Sequence, residues 1–193
     1  NLKVFHYPDN QGKGFALKYG FSHCGGNFVG FIDGDMELHP KDIKAFLDLM
    51  VVYNADAIIG SKRHPRSEVD YPWTRRILSL IYQVFIKFTL KLNVRDTQVG
   101  LKLFRRQMLE DTLPRVLVKK YAFDVELLTV ANHLGYRKIV EAPIKLEYYG
   151  RKGKNAWADL WRIKNMAWHM LWDTLALVYR LRILRYYDRI APS

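Results

Sequence analysis

Short apolar runs alternate along this chain with segments whose apolar residues are spaced for a helix. The runs 28–32 and 55–60 have the length of buried strands, and residues 41–53 between them place apolar side chains on one helical face. Strand, helix and strand in this order predict right-handed crossovers, and hence an α/β fold with a mostly parallel sheet flanked by helices. Further strands are predicted over 2–7, 101–104 and 139–149, and further helices over 15–24, 73–93, 121–134 and 156–190.

Three carboxylates follow the run 28–32 at alternate positions: Asp33, Asp35 and Glu37. In an extended chain, side chains two residues apart point the same way, so this spacing predicts three oxygen ligands that converge on one point. Mg²⁺ and Mn²⁺ prefer such ligands, completed by substrate phosphates and water. The alternative is a solvated acidic loop near a helix N-terminus. Because open α/β sheets bind ligands where buried strands end, the position favours a metal site.

The charge of the chain is positive and unevenly distributed. The net charge is +12, yet residues 1–60 hold five Lys or Arg against seven Asp or Glu, while the remaining residues hold 26 against 12. Such a positive field attracts phosphates on nucleotides, lipids or nucleic acid. Lys62, Arg63, His64 and Arg66 follow the strand 55–60. Charged loops are usually only solvated, but four basic groups at the expected ligand edge are better explained by a polyphosphate between them and the acidic cluster. The single cysteine, Cys24, excludes a disulfide framework and a cysteine-rich zinc site.

Two smaller patterns have both an ordinary and a chemical interpretation. Lys13 stands between Gly12 and Gly14 at the start of a predicted helix, where glycine and lysine can cradle a phosphate, although a plain turn into a helix also explains them. Asp124 and Glu126 lie near the start of the helix 121–134. Carboxylates there are favoured by the helix dipole, and either one could instead serve as a general base.

Two predicted helices have the composition of membrane-interface helices. Residues 73–93 would form a helix that is apolar on almost all of its sides. Residues 156–190 combine tryptophan and leucine with arginine. Lysines interrupt the first helix and His169 and Asp173 the second, so neither is expected to span a bilayer. We predict peripheral attachment to the cytoplasmic face of a membrane through the second helix, with packing on the sheet as the alternative for part of this helix.

One domain is expected over 1–150, followed by a basic loop and amphipathic helix over 151–193.

Taken together, the motifs resemble family 2 glycosyltransferases of the Rossmann-like GT-A fold. The similarity is greatest to the subgroup that charges polyprenyl or dolichyl phosphate with mannose or glucose. The matching segments follow one another over almost the whole chain: NQGKGFAL (10–17), FIDGDMELHP (31–40), ADAIIGSKR (55–63), RRILS (75–79), DTQVGLKLFRR (96–106), YAFDVELL (121–128) and GYRKIVEAPIKL (135–146).

The resemblance implies a role for each matching residue. The carboxylates Asp33, Asp35 and Glu37 would hold Mg²⁺ or Mn²⁺ on the donor diphosphate, although the family often has Gln at the position of Glu37. Lys13 would lie near the donor nucleotide. The implied substrate-binding residues are Lys13, Asp33, Lys62, Arg63, Ser79, Arg151 and Lys152, the last two in a loop that covers the site. The implied catalytic residues are Asp35, Arg75, Asp96, Gln98, Lys102, Asp124 and Glu126.

The implied activity is metal-dependent transfer of a hexose from GDP-mannose or UDP-glucose to a polyprenyl or dolichyl phosphate at a membrane surface. A family member that glycosylates a polysaccharide or protein glycan remains the alternative, with Asp124 or Glu126 as its base. The rival from another class is a basic nucleic-acid-binding domain, but the chain contains no recognised nucleic-acid motif, and bare carboxylates would repel a phosphate backbone.

The family begins with a base-binding strand and an acidic V-D-D-G-S type segment. Since neither precedes Asn1, we expect an N-terminally incomplete domain that is not active by itself.

Overall fold

The structure, a computed structural model, describes residues 2–69, 73–146 and 156–189. Its main sheet has four strands, β1 (Phe28–Ile32), β2 (Ala57–Gly60), β4 (Leu101–Arg105) and β5 (Ile139–Ala142). A small second sheet pairs β3 (Glu68–Val69) with β6 (Lys145–Leu146). The helices are α1 (Lys13–Ser22), α2 (Asp42–Val52), α3 (Trp73–Leu90), α4 (Arg106–Thr112), α5 (Phe123–His133), α6 (Ala156–Arg182) and α7 (Tyr186–Arg189).

The predicted mostly parallel sheet is confirmed, with one reversed strand in its middle. The strand order is β1-β4-β2-β5, and β2 runs parallel to β5. β4 runs antiparallel to both of its neighbours, so β1, β2 and β5 share one direction. The carboxyl ends of these three strands therefore lie at the same edge of the sheet, where α/β proteins bind ligands.

Helices cover both faces of the sheet, and the alternation of residues in β4 shows how the two layers are divided. Leu101 and Leu103 pack in the layer that contains Phe46 and Met50 of α2. Phe104 packs in the opposite layer, with α5 and the C-terminal helices. Lys102 shares the face of Phe104, as the period of two predicts, and this direction brings a buried ammonium group to the first turn of α5.

Several element predictions need correction. Residues 2–7 form no strand; no described strand pairs with them, and Phe5 and Tyr7 pack instead against aromatic rings of α1. The predicted strand 139–149 divides at Pro143 into β5 and β6, because proline cannot donate to a ladder, and residues 147–149 lie outside the described part. The helix α4, which directly follows β4, was not predicted.

The C-terminal segment forms two helices where one was predicted. α6 ends at Arg182, and the chain reverses through Arg185, whose φ is 47°, before α7 begins. Leu177 and Tyr187 enter the core, and the Tyr82 and Thr174 hydroxyls are hydrogen-bonded at 2.9 Å, which joins α6 to α3. Over the described residues, no helix combines the length and apolar character needed to cross a membrane.

The two glycines of α1 have opposite environments, which makes them a matched pair for testing the packing of this helix. A Cβ on Gly14 would lie 2.5 Å from Phe123 Cδ2 and 2.8 Å from the Val118 carbonyl oxygen, whereas a Cβ on Gly20 would meet no atom within 4 Å. We expect Gly14→Ala to lower the free energy of unfolding by about 1–3 kcal/mol through overpacking. Gly20→Ala should raise it by about 0.5–1 kcal/mol, since alanine favours the helix. Equal effects of the two substitutions in urea denaturation would contradict this packing.

Candidate active site

Four charged side chains form a continuous chain of ion pairs at the ligand edge of the sheet. Lys102 Nζ, on β4, lies 2.7 Å from Asp124 Oδ1, on α5. The other oxygen of this carboxylate, Oδ2, is 3.2 Å from Lys13 Nζ at the start of α1. Lys13 Nζ is also 2.9 Å from Oδ1 of Asp33, the residue that follows β1. Charges of alternating sign thus connect four elements that are far apart in sequence.

Glycines allow these groups to approach one another. The Asp33 amide donates to the Gly100 carbonyl at 3.0 Å, and a Cβ on Gly100 would occupy the place of the Asp33 carboxylate. Gly12 has a φ of 93°, and the Gly14 amide donates to the Lys119 carbonyl at 2.9 Å. The glycines that flank Lys13 therefore have a packing role, because they seat the start of α1 directly on the segment before α5.

The ion pairs fix the protonation states of the two central groups. Burial alone would raise the pKa of Asp124, but the ammonium groups of Lys102 and Lys13 outweigh it and hold that pKa below its usual value. Burial alone would lower the pKa of Lys13, but Asp124 and Asp33 outweigh it and raise that pKa. Asp124 therefore remains a carboxylate at neutral pH and is a weak proton acceptor.

A cavity of about 1000 Å³ opens beside this chain of charges. Its volume is at the upper end of the range for small-molecule sites, which gives room for a sizeable organic ligand. The wall includes three of the four ion-paired groups, Lys13, Asp33 and Asp124, and a set of polar side chains from α6. The lining residues are Asn10, Gly12, Lys13, Asp33, Gln98, Lys120, Tyr121, Asp124, Asn165, His169 and Asp173.

In the structure the side chains of Asp33, Asp35 and Glu37 do not converge on one point. Among the described residues, no group of three His, Cys, Asp or Glu side chains is placed to hold a metal ion. The chain leaves extended geometry at a turn over Gly34 and Asp35, and Met36 has a φ of 65°, so alternate side chains do not point the same way. Asp33 lines the large cavity, whereas Asp35 and Glu37 line a separate hollow of about 660 Å³.

Asp96 organises the loop that carries the predicted phosphate-binding cations. Its buried carboxylate accepts hydrogen bonds from the Lys62 amide at 3.2 Å and from the Gln98 amide at 3.1 Å. This arrangement anchors the loop after β2 to the loop before β4. Within it, Arg63 Nη2 donates to Ser79 Oγ at 2.9 Å, so the structure brings these two predicted residues together. The side chain of Arg75 and both residues Arg151 and Lys152 lie outside the described part of the chain.

Glu126, a predicted catalytic residue, has a structural position. It is fully buried, and its Oε1 accepts a hydrogen bond from Arg180 at 2.9 Å and another from the Tyr187 hydroxyl. Its Oε2 accepts from the backbone amides of Leu117, at 2.8 Å, and Val118. Four donors leave this carboxylate without free acceptor capacity directed at the cavity, so it ties α6 and α7 to the segment that precedes α5.

Several residues that line the cavity were not predicted as site residues. They are Asn10, Lys120 and Tyr121, near the start of α1 and α5, and Asn165, His169 and Asp173 on α6. The three on α6 recur every four residues, which places them on one helical face. This polar stripe in a helix rich in tryptophan and leucine is the sequence signal that could have identified them.

Comparisons with known proteins agree with this architecture. The sequence profile described as Glycosyl transferase family 2 matches residues 1–113. Dolichyl-phosphate beta-glucosyltransferase ALG5A of Trichomonas vaginalis is 32% identical over 152 residues, which cover 75% of this chain and 46% of that protein. Dolichyl-phosphate beta-glucosyltransferase ALG5D of the same organism is 28% identical over 195 residues, which cover 98% of this chain and 58% of that protein. The chain thus spans about half the length of the curated relatives it matches.

A solved structure shares the fold. The crystal structure of glucosyl-3-phosphoglycerate synthase from Mycobacterium tuberculosis with UDP superimposes with a TM-score of 0.64 at 16% sequence identity. The superposition covers 89% of this chain and 57% of that one. This likeness confirms the predicted GT-A fold.

The buried pair of Lys102 and Asp124 can be tested through stability. Lys102→Met should lower the free energy of unfolding by about 3–5 kcal/mol near neutral pH, because it removes one of two cations from a buried carboxylate. The folded state lowers the pKa of Asp124, so the pair contributes stability above the unfolded pKa of about 3.9 and loses it as pH falls through the lowered value. The difference between variant and wild type should therefore shrink in urea titrations taken from pH 7 to pH 3.

An exposed ion pair supplies the control for this substitution. Lys145 Nζ lies 3.8 Å from Glu68 Oε2, with both side chains more than half exposed. Because water screens such a pair, Lys145→Met should change stability by less than about 1 kcal/mol. If the two lysine substitutions cost the same, or if the cost of Lys102→Met does not depend on pH, the assigned charge of Asp124 is wrong.

Proposed function

Because this chain belongs to glycosyl transferase family 2, we propose that it transfers a hexose from a nucleotide-sugar to a polyprenyl or dolichyl phosphate. The observation that carries the proposal is the pairing of Asp124, a carboxylate at the cavity wall, with the ammonium groups of Lys13 and Lys102, which favours its ionised form. Such a group orients cations and is poorly suited to removing a proton. The relatives named dolichyl-phosphate beta-glucosyltransferases support the lipid phosphate as acceptor and favour UDP-glucose over GDP-mannose as donor.

The chemistry of a phosphate acceptor fits this arrangement. A lipid phosphate is already an anion at neutral pH, so it can attack the sugar carbon without a strong general base. The remaining requirement is positive charge, which brings two anionic substrates together and stabilises the diphosphate that leaves. In the proposal, Lys13 at the cavity wall supplies part of that charge beside the donor, and Asp124 keeps Lys13 in position.

Asp33 and Asp35 have the donor chemistry for a divalent cation. Mg²⁺ in nucleotide sites commonly uses one or two carboxylates and completes its shell with phosphate oxygens and water, so a cluster of three protein ligands is not required. Glucosyl-3-phosphoglycerate synthase, which shares the fold, has been crystallised with Mn²⁺ or Mg²⁺ together with UDP. In the proposal Asp33 and Asp35, which line different cavities in the structure, would together hold Mg²⁺ or Mn²⁺, and the ion would supply positive charge to the donor diphosphate. Glu37 as a third ligand stays a prediction from the resemblance.

The acceptor phosphate is assigned to the loop after β2. Lys62 and Arg63 lie there, the loop is anchored on Asp96, and the Arg63 guanidinium already bonds the Ser79 hydroxyl. Guanidinium and ammonium groups of this kind bind phosphate through charge-assisted hydrogen bonds. Arg75, which is one helical turn before Ser79 in sequence, is proposed to complete this set, and Arg151 and Lys152 are proposed to cover the site.

The other candidate functions have less support. An acceptor hydroxyl on a polysaccharide or protein glycan requires a base, yet Asp124 is paired with two lysines and Glu126 is saturated by four donors. A nucleic-acid backbone would meet three carboxylates at the cavity, Asp33, Asp124 and Asp173. Carboxylates there repel a polyanion.

The proposal predicts transfer to a phosphate and not to the matching alcohol. The full-length protein that carries this chain would be given UDP-glucose or GDP-mannose, with a short polyprenyl phosphate or the corresponding polyprenol, and products would be followed by mass spectrometry. We expect a glucosyl phosphate product from UDP-glucose with Mg²⁺ or Mn²⁺ present. Equal glycosylation of the alcohol, or no product from either donor, would contradict the proposed function.

Two matched substitutions test the metal assignment in the same assay. Asp35→Ala, or excess EDTA, should lower turnover about 100- to 1000-fold, the usual cost of losing one electrostatic stabiliser of the transition state. Asp48→Ala, which removes an exposed carboxylate of α2, should leave turnover unchanged. Full activity of Asp35→Ala would show that the donor diphosphate is neutralised elsewhere.

We further propose that α3 and α6 attach the protein to the membrane in which the acceptor resides. Both helices expose large apolar side chains, among them Ile81 and Phe88 on α3 and Trp168 and Trp172 on α6. Tryptophan is typical of the headgroup region of a bilayer. Exposed lysines and arginines accompany these side chains: Lys87, Lys91, Arg182 and Arg185. This charge favours a bilayer that contains anionic lipid, where each nearby cation adds about 1 kcal/mol.

Flotation with liposomes tests this attachment. We expect the wild-type protein to float with vesicles that contain anionic lipid and to be released by salt, since salt screens the charges. Replacing Trp168 and Trp172 with serine should abolish most of the binding, because it removes two side chains that are 62% and 64% exposed. Val51 and Val52 on α2 are 69% and 75% exposed, so their double replacement with serine is the matched control and should bind normally. Equal binding by both variants would contradict attachment through α6.

A further inference from the structure

The polar stripe of α6 forms one wall of the large cavity. Asn165, His169 and Asp173 are spaced by four residues, and all three line the cavity. In the part of the chain that the structure describes, no hydrogen bond engages these three side chains, and Asp173 interacts with the charges of His169, Arg180 and Lys120 without a direct ion pair. By contrast, Lys13, Asp33 and Asp124 in the same cavity are paired with one another. The α6 wall therefore offers polar atoms that are available to a ligand.

Two further groups in the cavity have unused binding capacity. Gln98 Nε2 is buried and has no hydrogen-bond partner among the described atoms, although Gln98 lines the cavity. A buried donor without a partner costs free energy, and a ligand oxygen would recover it. Tyr121 also lines the cavity and is 49% exposed, so its ring presents an apolar face to the same space.

The charge of this wall selects the class of ligand. The lysines that line the cavity, Lys13 and Lys120, come from α1 and from the segment before α5, whereas α6 contributes the carboxylate of Asp173, so a phosphate is favoured beside the lysines over a position beside Asp173. A neutral group with many hydroxyls is favoured instead, because hydroxyls donate to a carboxylate and accept from amide and imidazole nitrogens. An aromatic ring such as Tyr121 can pack against the apolar face of a sugar ring. This combination of groups fits a hexose.

We propose that Asn165, His169 and Asp173 form the recognition site for the transferred hexose, with Asp173 accepting hydrogen bonds from sugar hydroxyls. This inference rests on the proposed function, since it takes the ligand to be the sugar of the donor. It assigns the nucleotide diphosphate to the Lys13 side of the cavity and the sugar to the α6 side. Through this division, α6 determines which hexose is transferred.

Binding of UDP-glucose and of UDP, each with Mn²⁺, separates the sugar from the nucleotide. We expect Asp173→Asn and Asn165→Ala to raise the dissociation constant of UDP-glucose about tenfold in isothermal titration calorimetry of the full-length protein. The dissociation constant of UDP should stay within twofold, because UDP lacks the group that these residues bind. Asp48→Asn makes the same chemical change on an exposed part of α2 and should alter neither constant. Thermal unfolding would confirm that each variant is folded.

Each other outcome has a defined meaning. Equal weakening of UDP and UDP-glucose would place the diphosphate at α6 and overturn the inference, as would unchanged affinity for both. A loss of turnover by Asp173→Asn with unchanged affinity for UDP-glucose would make Asp173 an acid–base group and also overturn it. Absence of glucosyl transfer to polyprenyl phosphate by the wild type would refute the proposed function separately, since the binding comparison needs no acceptor.

Discussion

The position of Asp124 between Lys102 and Lys13 is the constraint on which the ligand edge of this protein depends. A buried carboxylate is costly unless its charge is compensated, and here compensation comes from a strand in the middle of the sheet and from the start of α1. Because each partner belongs to a different element, the pairing fixes α1 and α5 relative to the sheet. Buried ion pairs contribute little net stability but strongly disfavour alternative arrangements that leave one charge alone. We therefore interpret this chain of charges as specifying the shape of the cavity.

A second carboxylate of α5 performs a different task only two residues away. Residues spaced by two lie on nearly opposite sides of a helix, so Asp124 reaches the cavity while Glu126 reaches Arg180 and Tyr187. Glu126 also holds the amides of Leu117 and Val118, and the segment that follows them supplies the Lys119 carbonyl that receives the Gly14 amide. The first turn of α5 thus contacts the C-terminal helices, the segment that holds the start of α1, and the cavity. The sequence alone offered the same possible roles for both of its carboxylates.

The sequence predicted what depends on local pattern and failed where side chains meet across the fold. Most strand and helix locations followed from apolar periodicity, and alternation along β4 separates Lys102 from Leu101 and Leu103 onto opposite faces of the sheet. The convergence of Asp33, Asp35 and Glu37 assumed an extended chain, and the turn at Gly34 removes that assumption. The partners of Glu126 come from residues as distant as Tyr187, which no local pattern identifies. His169 and Asp173 were interpreted only as obstacles to a membrane span, because their proximity to Asp33 is a property of the folded chain.

α6 has two faces with different tasks in the proposed reaction, and its helical geometry explains how they are related. Trp168 and Trp172 follow one row of the helix, and His169 and Asp173 follow the next row, about 100° around the axis. The first row is exposed and the second lines the cavity. If α6 lies on a bilayer surface with its tryptophan row against the headgroups, its polar row is no more than about one helix radius away from them. In the proposed reaction the lipid would hold the acceptor phosphate at that depth, so attachment through α6 would bring the mouth of the site to the phosphate, which would not have to leave the membrane.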